Sequence, residues 1–354
     1  MKSILYSHVA QLSPQSKMLL LLMYQDADNH KKYSKPLLDM VKQYGVSKTQ
    51  ILKGLAQLKE LRIVEPMTDT TELKKPGRPI SSYQINLGCF DSRAQTVEVY
   101  LASFIVDRIQ KLYLIKSRKL TLANRLLLIL LISKANEAGT VDSVSSRELS
   151  HWMGCTENRI QSLVRKLRQS NLISHYIPGI CHKLIGKHKA VYFLNMEMLG
   201  GYQVKINTIL DVRSKDTLAS LINFNAQHAV DRSSGLSGRS LEGFAYYLVS
   251  QQQLTTSIMF QIDYRLEKHF ISLINQGEPR LTQSNFYRKA IDELFDKMDA
   301  EHCYIQQLLN YMSSRAKQIS ESILHMQKQN VALKQCRYEL KYKSEHERIL
   351  LCIP

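Results

Sequence analysis

The sequence predicts a mainly α chain: two tandem modules, each of three helices and a β-hairpin, followed by a helical C-terminal region with a coiled-coil signature. Three observations carry this expectation. Glycine (14) and proline (8) are scarce among 354 residues, so helices are seldom interrupted. A stretch of the first half recurs at an offset of 109 residues. Apolar residues return every seventh position near the C-terminal end. The expected division is residues 1–95 for the first module, 96–118 for a linking helix, 119–200 for the second module and 201–354 for an oligomerisation or partner-binding region.

In the first module, Ser13 precedes Pro14 and an apolar run over 18–23, an N-cap and a first-position proline for helix one. Ser34 is the expected cap of helix two, which should turn Leu37, Leu38, Val41 and Tyr44 inward and end at Gly45. Ser47 opens helix three, and Gln50 three residues later completes a capping box. Ile51, Leu55 and Leu58 form its buried stripe.

The second module repeats the scheme. Gly45-Val46-Ser47-Lys48-Thr49-Gln50-Ile51 aligns with Gly154-Cys155-Thr156-Glu157-Asn158-Arg159-Ile160. Leu12-Ser13 matches Leu120-Thr121 at an offset of 108, so one residue of length difference lies between the two matches. Ser145 with Glu148 is a capping box for helix two, and Thr156 caps helix three, with Ile160, Leu163, Val164 and Leu167 inward.

Each copy then turns strand-like. In the first, residues 63–67 precede a polar loop and residues 80–87 alternate; in the second, residues 173–177 are answered by 190–195. Helix, helix, turn, helix and hairpin in this order resemble the winged-helix DNA-binding proteins. Lys74-Lys75-Pro76-Gly77-Arg78-Pro79 with Tyr83 and Ile85 is similar to the G-R-P-x-x-x-Y wing of bacterial transcription regulators. The second wing lacks this motif and carries a looser basic tip that includes Lys187 and Lys189.

What the resemblance implies is double-stranded DNA as partner. The third helix of each copy would enter a major groove. That assigns contact roles to Ser47, Lys48, Thr49, Gln50 and Lys53 in copy one, and to Asn158, Arg159, Gln161, Ser162 and Arg165 in copy two. Asn and Gln match adenine edges, Arg and Lys match guanine or phosphate. Lys74 and Lys75 would reach phosphate, Arg78 a narrow minor groove, and Lys187 and Lys189 the backbone beside the second site. Charge agrees: residues 1–200 hold 29 basic and 15 acidic side chains, a net of +14, while residues 201–354 hold 19 and 16, a net of +3.

In the C-terminal third a helix is expected from about Leu241 to Asn275, followed by a break at Gly277-Glu278-Pro279, and no strand. Ile305, Met312, Ile319, Met326, Leu333 and Leu340 are spaced by seven, with Leu309, Ala316, Ile323 and Asn330 interleaved. This seam predicts a homodimer, with Asn330 fixing its register, and leaves the helices open to a protein partner.

The remaining classes are narrowed by absence of signal. The longest apolar run, residues 126–132, is too short for a membrane span, and the N-terminus does not read as a signal peptide. Six scattered cysteines with no C-x-x-C argue for a reducing, cytoplasmic setting and against a metal site, and the DNA-binding resemblance implies that the protein is nucleoid-associated there. There is no catalytic motif and no cofactor motif, so a non-enzyme is expected. The leading expectation is a sequence-specific transcription regulator. The alternatives are a replication initiator of a plasmid or mobile element, and a scaffold subunit whose winged helices bind proteins.

Overall fold

The computed structural model describes residues 2–67, 82–90, 120–182, 186–199, 209–213, 256–283, 286–295, 303–343 and 347–353. The expected linking helix over 96–118 and the first hairpin tip, with Lys74, Lys75 and Arg78, lie outside these residues. The chain divides into two compact units. One comprises Met1–Ala135, Ser143–Ile173 and Leu194–Tyr202; the other comprises Asn136–Asp142, Ser174–Phe193 and Gln203–Pro354. This division does not follow the expected boundary at residue 119: the helices of the second module fall in the first unit and most of its strands in the second.

The first unit is built from α1 (Lys2–Tyr6), α2 (Pro14–Asp26), β1 (Lys32–Ser34), α3 (Leu37–Tyr44), α4 (Lys48–Glu60), β2 (Val64–Met67) and β3 (Ser82–Ile85). From the second copy it takes α5 (Leu122–Ile132), α6 (Ser146–Met153) and α7 (Glu157–Gln169). Helices α2 and α5 pack on each other. Met18 through Met23 and Leu126 through Leu131 are all fully buried, as expected of helices that are apolar all round. Helices α3 and α4 pack together beside α2, and α6 and α7 beside α5.

The local signals hold. Ser13 accepts from the Ser16 amide with Pro14 at the first helical position. Ser47 with Gln50, and Ser145 with Glu148, are reciprocal capping boxes. Thr156 caps α7, and Gly45 and Gly154 sit in the left-handed region with φ of 58° and 65°. The equivalence runs past the residues that first showed it. Arg62 and Asn171, 109 apart, end α4 and α7 with positive φ (53° and 54°). The next amide in each copy reaches back into its helix, Ile63 to the Leu58 carbonyl at 2.9 Å and Leu172 to the Leu167 carbonyl at 3.0 Å. Two expectations in α3 fail. Ser34 lies in β1, where its hydroxyl meets that of Ser82, and α3 starts at Pro36 with no side-chain cap. Leu38 points outward and is 68% exposed.

Both copies order their sheet alike. In the first, β1 and β2 flank β3; in the second, β4 (Thr140–Val141) and β5 (Ile173–Ile177) flank β8 (Val191–Leu194). Tyr33 pairs with Tyr83 and Val141 with Tyr192, equivalent positions on both strands. The second copy adds a small hairpin of β6 (Ile180–His182) and β7 (Gly186–His188).

The second unit also holds β9 (Ile209–Arg213), α8 (Thr256–Asn275), α9 (Phe286–Leu294), α10 (Cys303–Gln329), β10 (Arg337–Tyr342) and β11 (Glu347–Ile353). The three strands form an antiparallel sheet with β11 in the centre, which corrects the expectation of an all-helical third. The heptad seam is corrected too. The helix stops at Gln329, leaving Asn330 and Leu333 beyond it and Leu340 in a strand. Leu309, Met312, Ala316, Ile323 and Leu333 are buried in this unit's own core, with Ile319 and Met326 against it. Of Ile305 only the backbone is described. A helix laid on α8 and α9 of its own chain needs the same apolar stripe as a coiled coil, and here intrachain packing uses it. Among the described residues the apolar side chains of the seam are taken up by this core.

The core of this unit holds a closed charge group. Arg348 is ion-paired to both Glu267 and Asp263, and Arg315 reaches Glu267 at 3.2 Å. Tyr342 donates to Glu267 at 2.9 Å. Two guanidinium groups balance two carboxylates, all buried, so the group is neutral as a whole. Among the described residues no helix is long and apolar enough to cross a membrane.

Candidate nucleic-acid interface

The expected contact residues lie at the start of α4 and of α7. Ser47, Lys48, Thr49, Gln50 and Lys53 are all exposed, while Ile51, Leu55 and Leu58 hold the opposite face in the core. Gln50 is already engaged: its Oε1 accepts the Ser47 amide at 3.1 Å, and its amide donates to the Ser47 hydroxyl at 3.3 Å. Its first role is therefore to fix the helix start, and reading a base would break the cap.

In α7, Asn158, Arg159, Gln161 and Arg165 are exposed and Ser162 is half-buried. Thr156 accepts from the Arg159 amide at 3.3 Å, which leaves the Arg159 side chain outside the cap. Beneath it, burial raises the Cys155 thiol pKa, partly offset by the Arg159 guanidinium. Both helices thus present amide groups and the positive end of the helix dipole beside their cations. Lys187 and Lys189 are exposed as well, but they belong to the second unit, where the Lys189 carbonyl accepts from Gln261 at 3.0 Å.

Two residues that sequence reasoning passed over hold this unit together. Arg125 is fully buried in α5. Its Nη1 donates to the Tyr44 carbonyl at 2.5 Å, its Nη2 to the Gly45 carbonyl at 3.3 Å and its Nε to the Leu120 carbonyl at 3.2 Å. Tyr44 and Gly45 are the C-terminal end of α3, in the other copy. Lys17, buried in α2, answers it. Its ammonium donates to the carbonyls of Leu5 (2.9 Å) and Ser7 (2.8 Å), and also to that of Trp152 near the end of α6. Each copy therefore sends one cation from its first helix to the carbonyl end of the other copy's second helix, where the dipole favours positive charge. Lys17 and Arg125 are 108 apart, the offset of Leu12 and Leu120. A lone cation in each of two apolar helices, at the repeat offset, was the available signal. Burial lowers the Lys17 pKa to about 7.

Around Tyr44 the first copy adds a polar cluster. The Tyr44 hydroxyl donates to Asp26 at 2.7 Å and meets the Tyr33 hydroxyl at 2.9 Å, and Lys35 pairs with Asp26 at 2.9 Å. Burial first, then the neighbouring Tyr33, keeps the Tyr44 phenol protonated well above its ordinary range. At the start of the chain Tyr6 meets Trp152 edge-on, donates to Ser133 at 2.7 Å and lies under Lys134. His8 stacks on His151 with ring centres 4.7 Å apart. Among the described residues no group of three or more His, Cys, Asp or Glu is placed to hold a metal ion. No family model matches the chain, and no curated protein or solved structure matches it either.

Proposed function

We propose that the first unit is a pair of winged-helix modules that binds double-stranded DNA, and that the protein is a non-enzymatic, sequence-specific transcription regulator. The observation that carries this reading is the equivalence of α4 and α7. Each follows a left-handed glycine, each is capped by a hydroxyl, and each leaves the outer face of its first two turns exposed with cations on it. The concentration of net charge in residues 1–200 supports it. Because one unit carries both helices, the chain needs no second copy to offer two reading elements.

One feature favours replication initiation as a second reading. The two helices differ in chemistry, so a bound chain gives its site a direction, which suits a row of direct repeats better than a palindrome.

Selection from random duplex DNA with the full chain tests both readings. The expected result is a defined sequence with a steep fall in affinity as salt rises. Arg165→Ala should weaken the selected site about tenfold or more, the cost of losing one good guanine contact. Binding that ignores sequence and salt would sink the proposal. Selected sites in promoters support the regulator, and same-direction arrays at an origin support the initiator.

A further inference from the structure

The repeat gives a position-by-position comparison of the two exposed helix faces. On α7 the outward line is Asn158, Gln161 and Arg165, spaced i, i+3, i+7. The equivalent line on α4 is Thr49, Leu52 and Ala56, all exposed. Gln161 and Arg165, which make directed hydrogen bonds, are answered by the alkyl groups of Leu52 and Ala56, and Asn158 by Thr49, which offers a methyl beside its hydroxyl. Leu52 is 47% exposed, one of few large apolar side chains so placed among the described residues. Nothing in the fold of α4 requires it there, since Ile51, Leu55 and Leu58 supply its buried stripe.

We infer that the two helices read different chemistry: α4 recognises thymine 5-methyl groups through Thr49, Leu52 and Ala56, while α7 recognises purine edges by hydrogen bonds. This rests on the DNA-binding reading and extends it to the kind of site bound, a T-rich half and a purine-specified half. The thymine methyl is the apolar feature of the major groove and is read by alkyl contact. Lys48 and Lys53, exposed on the same helix, fit the phosphates on either side of such a contact.

The test uses the full chain and its own selected site. Each half of the site is remade in two ways: with uracil for thymine, which removes only the methyl, and with 7-deazapurines, which remove the N7 acceptor. Uracil in the α4 half should weaken binding about fourfold per methyl lost, and 7-deazapurines there should change little. The pattern should reverse in the α7 half. Leu52→Gln, which places on α4 the residue found at the equivalent position of α7, should remove the uracil effect at the thymine Leu52 covers, keep it at those facing Thr49 and Ala56, and leave the 7-deaza effect in place. Leu52 is exposed, so the variant should fold, and an unchanged thermal transition checks this.

Specific binding that is indifferent to uracil in both halves would overturn the inference while sparing the DNA-binding reading. Loss of self-association in Leu52→Gln, with DNA affinity unaltered, would overturn it in favour of a protein contact. Absence of sequence-specific binding would overturn both.

Discussion

The first copy of the repeat closes its three-stranded sheet in the unit that holds its helices, whereas the sheet of the second copy lies largely in the other unit. There Ile177, Val191 and Phe193 share a core with Phe260, Tyr264 and Tyr342, and His175 stacks between them on Tyr342. The strands pair in the same order and at equivalent positions in both copies. Local sequence therefore sets the hairpin, while the residues supplied later in the chain decide which core it joins. The helices show the converse. Their buried faces and caps are alike, and their exposed faces are not.

The comparison can be broken most severely at its crossed cations. Arg125→Met should destabilise the first unit by roughly 3–5 kcal/mol, because two buried carbonyls and one half-buried carbonyl lose their donor at once. Arg125→Lys should recover only part of this, since one ammonium cannot match the fork of a guanidinium. Urea denaturation of the full chain measures both.

Gly154→Ala comes next. Its φ is +65°, and an added Cβ would stand 2.6 Å from the Leu12 carbonyl oxygen, a backbone atom that cannot swing away. A loss of about 2–4 kcal/mol is expected from left-handed strain plus this clash.

Lys17 gives a pH signature that Arg125 cannot. With a folded pKa of about 7 against 10.5 for the free side chain, the folded state binds fewer protons between those values. Stability should therefore rise with pH across that window and be flat below it. Comparing denaturation at pH 7 and 9.5, Lys17→Met should remove the rise, and a slope as steep as the parent's would contradict the assignment. The smallest effects belong to the caps. Ser47→Ala and Ser145→Ala should each cost about 1 kcal/mol, read as a shifted melting midpoint. On the proposed DNA-binding reading, the first should also loosen that binding, since it frays α4 where its lysines sit.

The caps, the left-handed glycines and the repeat were legible in the sequence because each is decided within a few residues. The one-residue length difference was legible too, and it falls between β1 and α3. The helix faces followed from periodicity, Leu38 excepted. What failed was non-local. A period of seven cannot tell a helix laid on its own chain from one laid on a second copy, and it runs on past Gln329 into a short 3-10 turn and then a strand. The strand β10 carried its own signal, since Tyr338, Leu340 and Tyr342 alternate with Glu339 and Lys341. Leu340 had been counted into the heptads. Among the expected contacts, Gln50 is exposed, and its side-chain oxygen is engaged in the capping bond.

The crossed cations have a further consequence for cutting or rearranging this protein. A fragment that ends between the copies keeps Lys17 but loses the Trp152 carbonyl, and it leaves Tyr44 and Gly45 without the guanidinium that covers them. Each half alone lacks one end of these crossed bonds, so exchange of a single copy is expected to destabilise the unit unless its strut travels with it. The same interlock lies beneath the surface: exposed side chains on α4 and α7 can be changed without touching what keeps the pair assembled.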